Sequence, residues 1–441
     1  MERLRRHQPC PYPVKLLQFG EGNFLRAFMD WMVEKMNRQG LFQGSVHIVK
    51  PRAGGNGSVC QVLNAQGGVY HVVERGVVKG APWENPTLIQ CVEGASLPDR
   101  EWYRVEEIAL SPSLELIVSN VTEAGLVYRK GGQETYPARL ARLLSLRAQA
   151  GLPGIIVLPC ELLENNGSLL QNYVLKHLED NGAPRKTLHY VQQDCLFCNT
   201  LVDRIVSGFP QGEEEYFQNL LKTRDECLVC CEPFLFLAVE THEPERLKKA
   251  FPADKAGIDM VVATDITPYR LRKVRMLNGA HTASVLGAAM DGLTTVDEMM
   301  HSPKYKEYIH KLLFQEVAPI LPLPQAEAES YARDVLERFS NPYAHHRLLS
   351  IALNSISKWR ARILPSLMEY QEKFHALPET MTQSLKYLIQ FYLLGRGIDT
   401  PEVLNFFAQK PSLEEILQNQ ELWGMDLTQI PQLLPALAKE L

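Results

Sequence analysis

Lys273, Asn278 and His281 lie close together in the run Arg272-Lys-Val-Arg-Met-Leu-Asn-Gly-Ala-His281. On an α-helix, at 100° per residue, the three share an arc of about 140°. A lysine there can pass a proton to a carbonyl oxygen while hydride reaches the carbon, and retrieve it in reverse. Desolvation and the charges of Arg272 and Arg275 would push its pKa toward neutrality. The Asn278 amide can donate to a developing alkoxide. His281 can hold a neighbouring hydroxyl or tune the lysine. Gly279 and Ala280 leave room for a molecule to lie close. A surface lysine, a packing asparagine and a satisfied histidine would give the same spacing. The chemistry these residues suit is carbonyl–alcohol interconversion.

A second constellation is Phe19-Gly-Glu-Gly-Asn-Phe-Leu-Arg26, which follows the apolar run Val14-Lys-Leu-Leu-Gln. Strand, Gly-x-Gly, then helix lets backbone N–H groups and a helix N-terminus meet a pyrophosphate. Gly20 permits the tight turn and Gly22 removes a blocking side chain. Leu25 stands where the dinucleotide fingerprint has its third glycine. The acid that usually holds the ribose diol is also missing from Val49-Lys-Pro-Arg52. Basic residues there can accept the extra phosphate of NADP, so the residues alone leave NAD and NADP open.

The elements that must position these groups follow from apolar periodicity. Val14–Phe19, Val46–Val49, Leu114–Val118 and Gly154–Leu158 read as strands, and Val69–Val73 with Val77-Val78 as strands of a meander. Helical spacing recurs between them, as at Phe24, Phe28, Trp31, Met32 and Met36, and a Gly-rich turn spans residues 53–57. Strands alternating with helices predict a doubly wound α/β sheet with both faces covered. From about Pro268 the pattern turns helical, over residues 305–318, 331–339, 347–370 and 383–394. The fold class expected is α/β, a Rossmann-type N-terminal domain over 1–255 followed by a mainly α-helical substrate and catalytic domain over 256–441.

At 441 residues two domains are expected, because single cores stop growing near roughly 250–300 residues. The formal charge of −5 argues against a nucleic-acid partner. No apolar run reaches membrane-helix length, and MERLRRHQPCPYP lacks the apolar stretch of a secretory signal. Nine cysteines, several inside apolar runs, fit reduced thiols in a cytoplasmic protein. Cys195-x-x-Cys198 and Cys227-x-x-Cys230 have zinc-knuckle spacing, but large apolar residues fill each pair. They read as buried structural thiols, with no metal expected.

The motifs GxGNFxRA at residues 20–27 and KxxxxNGAH at 273–281 resemble the polyol-specific long-chain dehydrogenase family, typified by mannitol dehydrogenase. Pro159-Cys-Glu-Leu162, Asn199–Val206 and Ser350–Trp359 extend the likeness over most of the chain. The resemblance implies metal-independent hydride transfer with NAD, and Lys273, Asn278 and His281 as catalytic residues. It also implies cofactor contacts along Phe19, Gly20, Glu21, Gly22, Asn23, Phe24, Leu25 and Arg26, with Asn120 and Thr122 near the nicotinamide. Asp203 matches a family acid and Lys358 a substrate-binding lysine. Two departures point away from a plain polyol. Leu162 replaces a family asparagine, and Ser350 replaces an arginine eight residues before Lys358. A hexuronate needs a cation for its carboxylate, and Arg275, Arg347 and Lys358 are the candidates. The expected reaction is D-tagaturonate to D-altronate. D-fructuronate, a polyol, or a non-catalytic nucleotide sensor are the alternatives, and the oligomeric state stays open.

Overall fold

The computed structural model describes residues 1–52, 57–132 and 134–439. Most of the Gly-rich turn at 53–57 therefore lies outside the described residues. The chain divides into two compact units. The first holds Met1–Arg75 and Trp83–Ile266, and the second holds Gly76–Pro82 and Thr267–Leu441.

The first unit is built on a six-stranded sheet ordered Val92–Ser96, Ser45–Val49, Val14–Phe19, Leu116–Ser119, Ile156–Pro159, Leu196–Phe197. The paired strands run parallel. Counted along the chain, this order is 3-2-1-4-5-6, that of a dinucleotide-binding doubly wound sheet. Alternate residues of Val14–Phe19 enter separate cores. Leu16 packs with Phe28, Val46 and Val118, whereas Leu17 and Phe19 pack with Ile117, Tyr136 and Leu140. Each such apolar side chain contributes roughly 1.5–3 kcal/mol on burial. Covering both faces is why the strand reads as an apolar run.

Residues 256–266, expected with the helical domain, belong to the first unit. Their strand Met260–Ala263 pairs in parallel with Phe236–Glu240, which pairs antiparallel with Asn199–Asp203. Backbone hydrogen bonding thus ties this stretch to the sheet side of the chain.

Eight of the nine cysteines are buried, and all are free thiols. Cys195 and Cys198 enter different apolar clusters, as do Cys227 and Cys230. Burial pushes the Cys198, Cys227 and Cys230 thiols up to about 12. Among the described residues no three His, Cys, Asp or Glu side chains group to hold a metal. No described helix is long and apolar enough to cross a membrane.

The second unit is helical. Gly279–Met290 is buried along nearly its whole length. At Gly287 a methyl group would lie 2.7 Å from the Tyr387 ring, so glycine lets Glu379–Leu393 cross closely. The stretch 347–370, which reads as one helical pattern, is three helices: Leu348–Ile351, Ser355–Arg362 and Leu364–Phe374. Asn354 breaks it with a left-handed φ of +53°, and Pro365 starts the third helix. Trp359 anchors the middle helix, its Nε1 donating to Ser384 Oγ at 2.8 Å.

Candidate active site

In the first unit, the strands Val14–Phe19 and Leu116–Ser119 end side by side, with Phe19 opposite Ser119. This is where the strand order reverses, the usual ligand crevice of such sheets. Gly20 takes φ +140°, and a methyl group there would lie 3.0 Å from Leu25 Cδ1 and 3.1 Å from the Asn120 carbonyl oxygen. Only glycine suits that position. A methyl group on Gly22 would meet nothing within 4 Å. Gly22 precedes the helix Asn23–Arg38, which has no side-chain cap and no acid in its first turn. The first amides of this helix are thus open toward an anion, with the helix dipole behind them.

The expected cofactor residues divide by burial. Gly22, Asn23 and Thr122 are exposed, and Glu21, Phe24 and Asn120 half-buried. Phe19, Leu25 and Arg26 are buried and hold the turn from behind. Phe19 packs on the Tyr136 ring at 4.9 Å. The Arg26 guanidinium donates to Glu21 O, Asn23 Oδ1 and Cys227 O, at 3.1, 2.7 and 2.5 Å. It is spent inside the protein, so Arg26 fixes the loop rather than reaching a phosphate. Asn120 Nδ2 donates to Cys160 O at 2.8 Å. Thr122 adopts φ +68°, unusual for a β-branched residue.

Glu161 was not foreseen here. It is buried, and accepts from Val121 N at 2.9 Å and Ser119 Oγ at 3.2 Å, bracing the loop after the fourth strand. Burial raises its pKa. Its neighbour Leu162 is 68 % exposed. A pocket of about 490 Å³ is lined by Pro51, Arg52, Val121, Gly125 and Tyr136, among others. It lies beyond the second strand, where the adenosine end of a dinucleotide belongs in this topology. Lys50 Nζ turns to Arg52 O at 3.2 Å, and the acid that lines the pocket, Glu134, is paired with Arg139. Asp203 ends the strand Asn199–Asp203 and is buried.

In the second unit, the helix expected through Lys273 is not wholly α. Thr267–Arg272 is α-helical, Lys273–Asn278 is a π-helix, and Gly279–Met290 is α again. Hydrogen bonds from i to i+5 widen the turn. Lys273 and Asn278, about 140° apart on an α-helix, are drawn nearer to one face by it. π-turns recur at functional sites. Among the described residues the Asn278 side-chain amide makes no hydrogen bond. His281 lies one turn on, stacked on Phe339 at 4.1 Å and edge-on to His346 at 5.2 Å. Burial, then the charges of His346, Arg338, Arg362 and Lys358, holds His281 well below the ordinary imidazole pKa. It is neutral at pH 7.

The expected cations separate. Arg275 forks onto Glu369 with bonds of 2.5 and 2.6 Å, which occupies the geometry a substrate carboxylate would need. It is a structural pair. Arg272 is likewise bonded to Glu327 at 3.2 Å and lies over the Tyr331 ring. Neither arginine therefore offers Lys273 an uncompensated charge. Arg347 is exposed, just before the short helix Leu348–Ile351. Lys358 is half-buried, its Nζ donating to Ile351 O at 2.9 Å. Arg362 was not foreseen. It sits one turn after Lys358 and donates to Thr282 Oγ1 at 3.2 Å. The i, i+4 spacing from Lys358 was its only mark in the sequence.

A sheet of this order, a glycine turn open to a pyrophosphate and a lysine–asparagine π-turn define a nucleotide-dependent oxidoreductase. The chain belongs to the mannitol dehydrogenase family. Residues 14–249 match the mannitol dehydrogenase Rossmann domain, and 265–441 match the mannitol dehydrogenase C-terminal domain. It is 38% identical to the altronate oxidoreductase of Bacillus subtilis, covering 97% of this chain and 92% of that one. It is 36% identical to that of Shigella flexneri, covering 98% and 94%. Among solved structures, mannitol 2-dehydrogenase of Pseudomonas fluorescens, in ternary complex with NAD and D-mannitol, superposes with TM-score 0.71 at 19% identity. It covers 99% of this chain and 93% of that one. A substrate-free D-sorbitol dehydrogenase gives 0.78 at 19% identity, covering 88% and 85%.

Proposed function

We propose that this oxidoreductase reduces D-tagaturonate to D-altronate with NADH, reversibly. Similarity along nearly the whole chain to altronate oxidoreductases of two bacteria supports the substrate. The observation that carries the chemistry is the π-turn, which holds Lys273 and an Asn278 side-chain amide with no hydrogen-bond partner among the described residues. Asn278 donates to the ketone oxygen, and that bond strengthens as alkoxide charge develops. Lys273 transfers its proton to the same oxygen, completing the alcohol, and recovers it when altronate is oxidised. His281, kept neutral, binds a sugar hydroxyl through its ring nitrogens without adding charge. NADH supplies the hydride. The amides after Gly22 would hold its pyrophosphate and the pocket at Pro51, Arg52 and Tyr136 its adenosine end. Asp203 and Thr122 complete the binding residues, and the buried free thiols suit a reducing, cytoplasmic compartment.

The test is NADH oxidation followed in parallel with D-tagaturonate, D-fructuronate and D-fructose, with NADPH as control. Tagaturonate with NADH is expected to give the highest kcat/KM. Preference for fructuronate would move the assignment to the mannonate-forming reaction, and preference for fructose would make the chain a polyol dehydrogenase.

A further inference from the structure

We infer that Arg362 and Lys358 together form the subsite that grips the substrate's carboxylate. The inference rests on the hexuronate reading above and deepens it. The two cations are spaced i, i+4 on the helix Ser355–Arg362, so they share a face. Like charges at that spacing repel each other, and both side chains are partly withdrawn from water. Other buried cations of the same unit are neutralised, Arg275 by Glu369 and Arg272 by Glu327. Lys358 and Arg362 have only neutral partners within bonding distance among the described residues, the Ile351 carbonyl and the Thr282 hydroxyl. Asp399, the acid whose field reaches Lys358, is itself bonded to the Tyr392 hydroxyl at 2.6 Å. Nearby, His281 and His346 are held neutral, so the imidazoles add no positive charge of their own and cannot balance the pair. A pair of cations left without a carboxylate is a site for an anion brought from outside.

The position of the pair relative to the reacting turn fits a sugar acid. Thr282 Oγ1 accepts from Arg362 and donates to the Asn278 carbonyl at 2.9 Å, so one hydroxyl links the guanidinium to the π-turn. A methyl group on Gly279 would lie 3.5 Å from Ile363 Cδ1 and 3.8 Å from the Arg362 carbonyl, so the two backbones run close there. Thr282 engages one of the five guanidinium N–H groups, leaving donors for a two-point bond to a carboxylate. Lys358 adds a point charge beside it. The ketone can then rest at Asn278 and Lys273 while the acid end is held at Arg362.

The test compares wild type, Arg362→Gln and Arg362→Lys with D-tagaturonate and with D-tagatose, which has a hydroxymethyl group in place of the carboxylate. Arg362→Gln is expected to raise KM for tagaturonate by roughly 10- to 100-fold, with kcat changed much less. Arg362→Lys is expected to recover part of the loss, and kcat/KM for tagatose to stay within about threefold. Calorimetric binding of D-altronate should weaken by the same factor as KM. Equal losses for tagaturonate and tagatose, or an unchanged KM for tagaturonate, would overturn the inference alone. A wild-type enzyme inert toward both tagaturonate and fructuronate would overturn the hexuronate reading and this inference with it. If circular dichroism shows Arg362→Gln to be unfolded, Arg362→Lys decides: a severalfold rise in tagaturonate KM supports the subsite, and none removes it.

Discussion

Asp30 offers a pH-dependent measurement of the turn's support. It lies fully buried in the helix Asn23–Arg38, which follows the glycine turn. Burial raises its carboxyl from 3.8 to about 7, against the smaller pull of Tyr70, Arg26 and Gln18. The hydrogen bonding agrees. Tyr70 Oη lies 2.6 Å from Asp30 Oδ2 and 3.1 Å from the Arg26 carbonyl, and a phenol has one hydrogen for two acceptors. Asp30 Oδ1 and Gln18 Oε1 are also buried with no donor. A proton on Asp30 supplies the missing donor. The sign follows from linkage. With its folded pKa above the unfolded one, the native state holds the proton from pH 4 to 7 and the unfolded state does not. Stability therefore falls as pH rises through that window, and flattens above it. A shift from 3.8 to about 7 corresponds to about 4 kcal/mol. Asp30→Asn carries the donor at every pH. Urea denaturation at pH 5, 6, 7 and 8 should find the variant gaining on wild type by about 2–3 kcal/mol across the range, the part of the total that titrates above pH 5. Other titrating groups are common to both proteins and cancel in the difference. Parallel stability profiles for the two would refute the reasoning.

Three further outcomes are expected. Lys273→Ala should cut kcat by roughly a hundred- to ten-thousand-fold while NADH affinity, read by fluorescence titration, is unchanged; wild-type turnover would end the proton-transfer role. Gly20→Ala forces a side chain into φ +140° against the Asn120 carbonyl, and should weaken NADH binding at least tenfold and cost about 1–3 kcal/mol of stability. Glu369→Gln leaves the Arg275 fork with a neutral partner, and should lower stability by about 1 kcal/mol with tagaturonate KM unchanged, because half-exposed Glu369 is well screened. A raised KM there would return Arg275 to the substrate site.

Local residue patterns in the chain were enough to announce the sheet, the glycine turn and the lysine motif. Val14–Phe19 is apolar on both faces because both are covered. Gly20 must be glycine because its φ is positive, and such demands are written in single residues. Three things were decided only by tertiary packing. Residues 256–266 joined the first unit because Met260–Ala263 found a parallel strand partner in Phe236–Glu240, which itself pairs with Asn199–Asp203. The break at Asn354 and the π-turn at Lys273–Asn278 are departures from helical periodicity that the apolar pattern does not record. The fate of each arginine depended on which acid the fold brought to it. Arg275 met Glu369, ninety-four residues on, while among the described residues Arg362 met the Thr282 hydroxyl and no acid. A charge is visible in sequence, but whether it is neutralised is a property of neighbours distant along the chain.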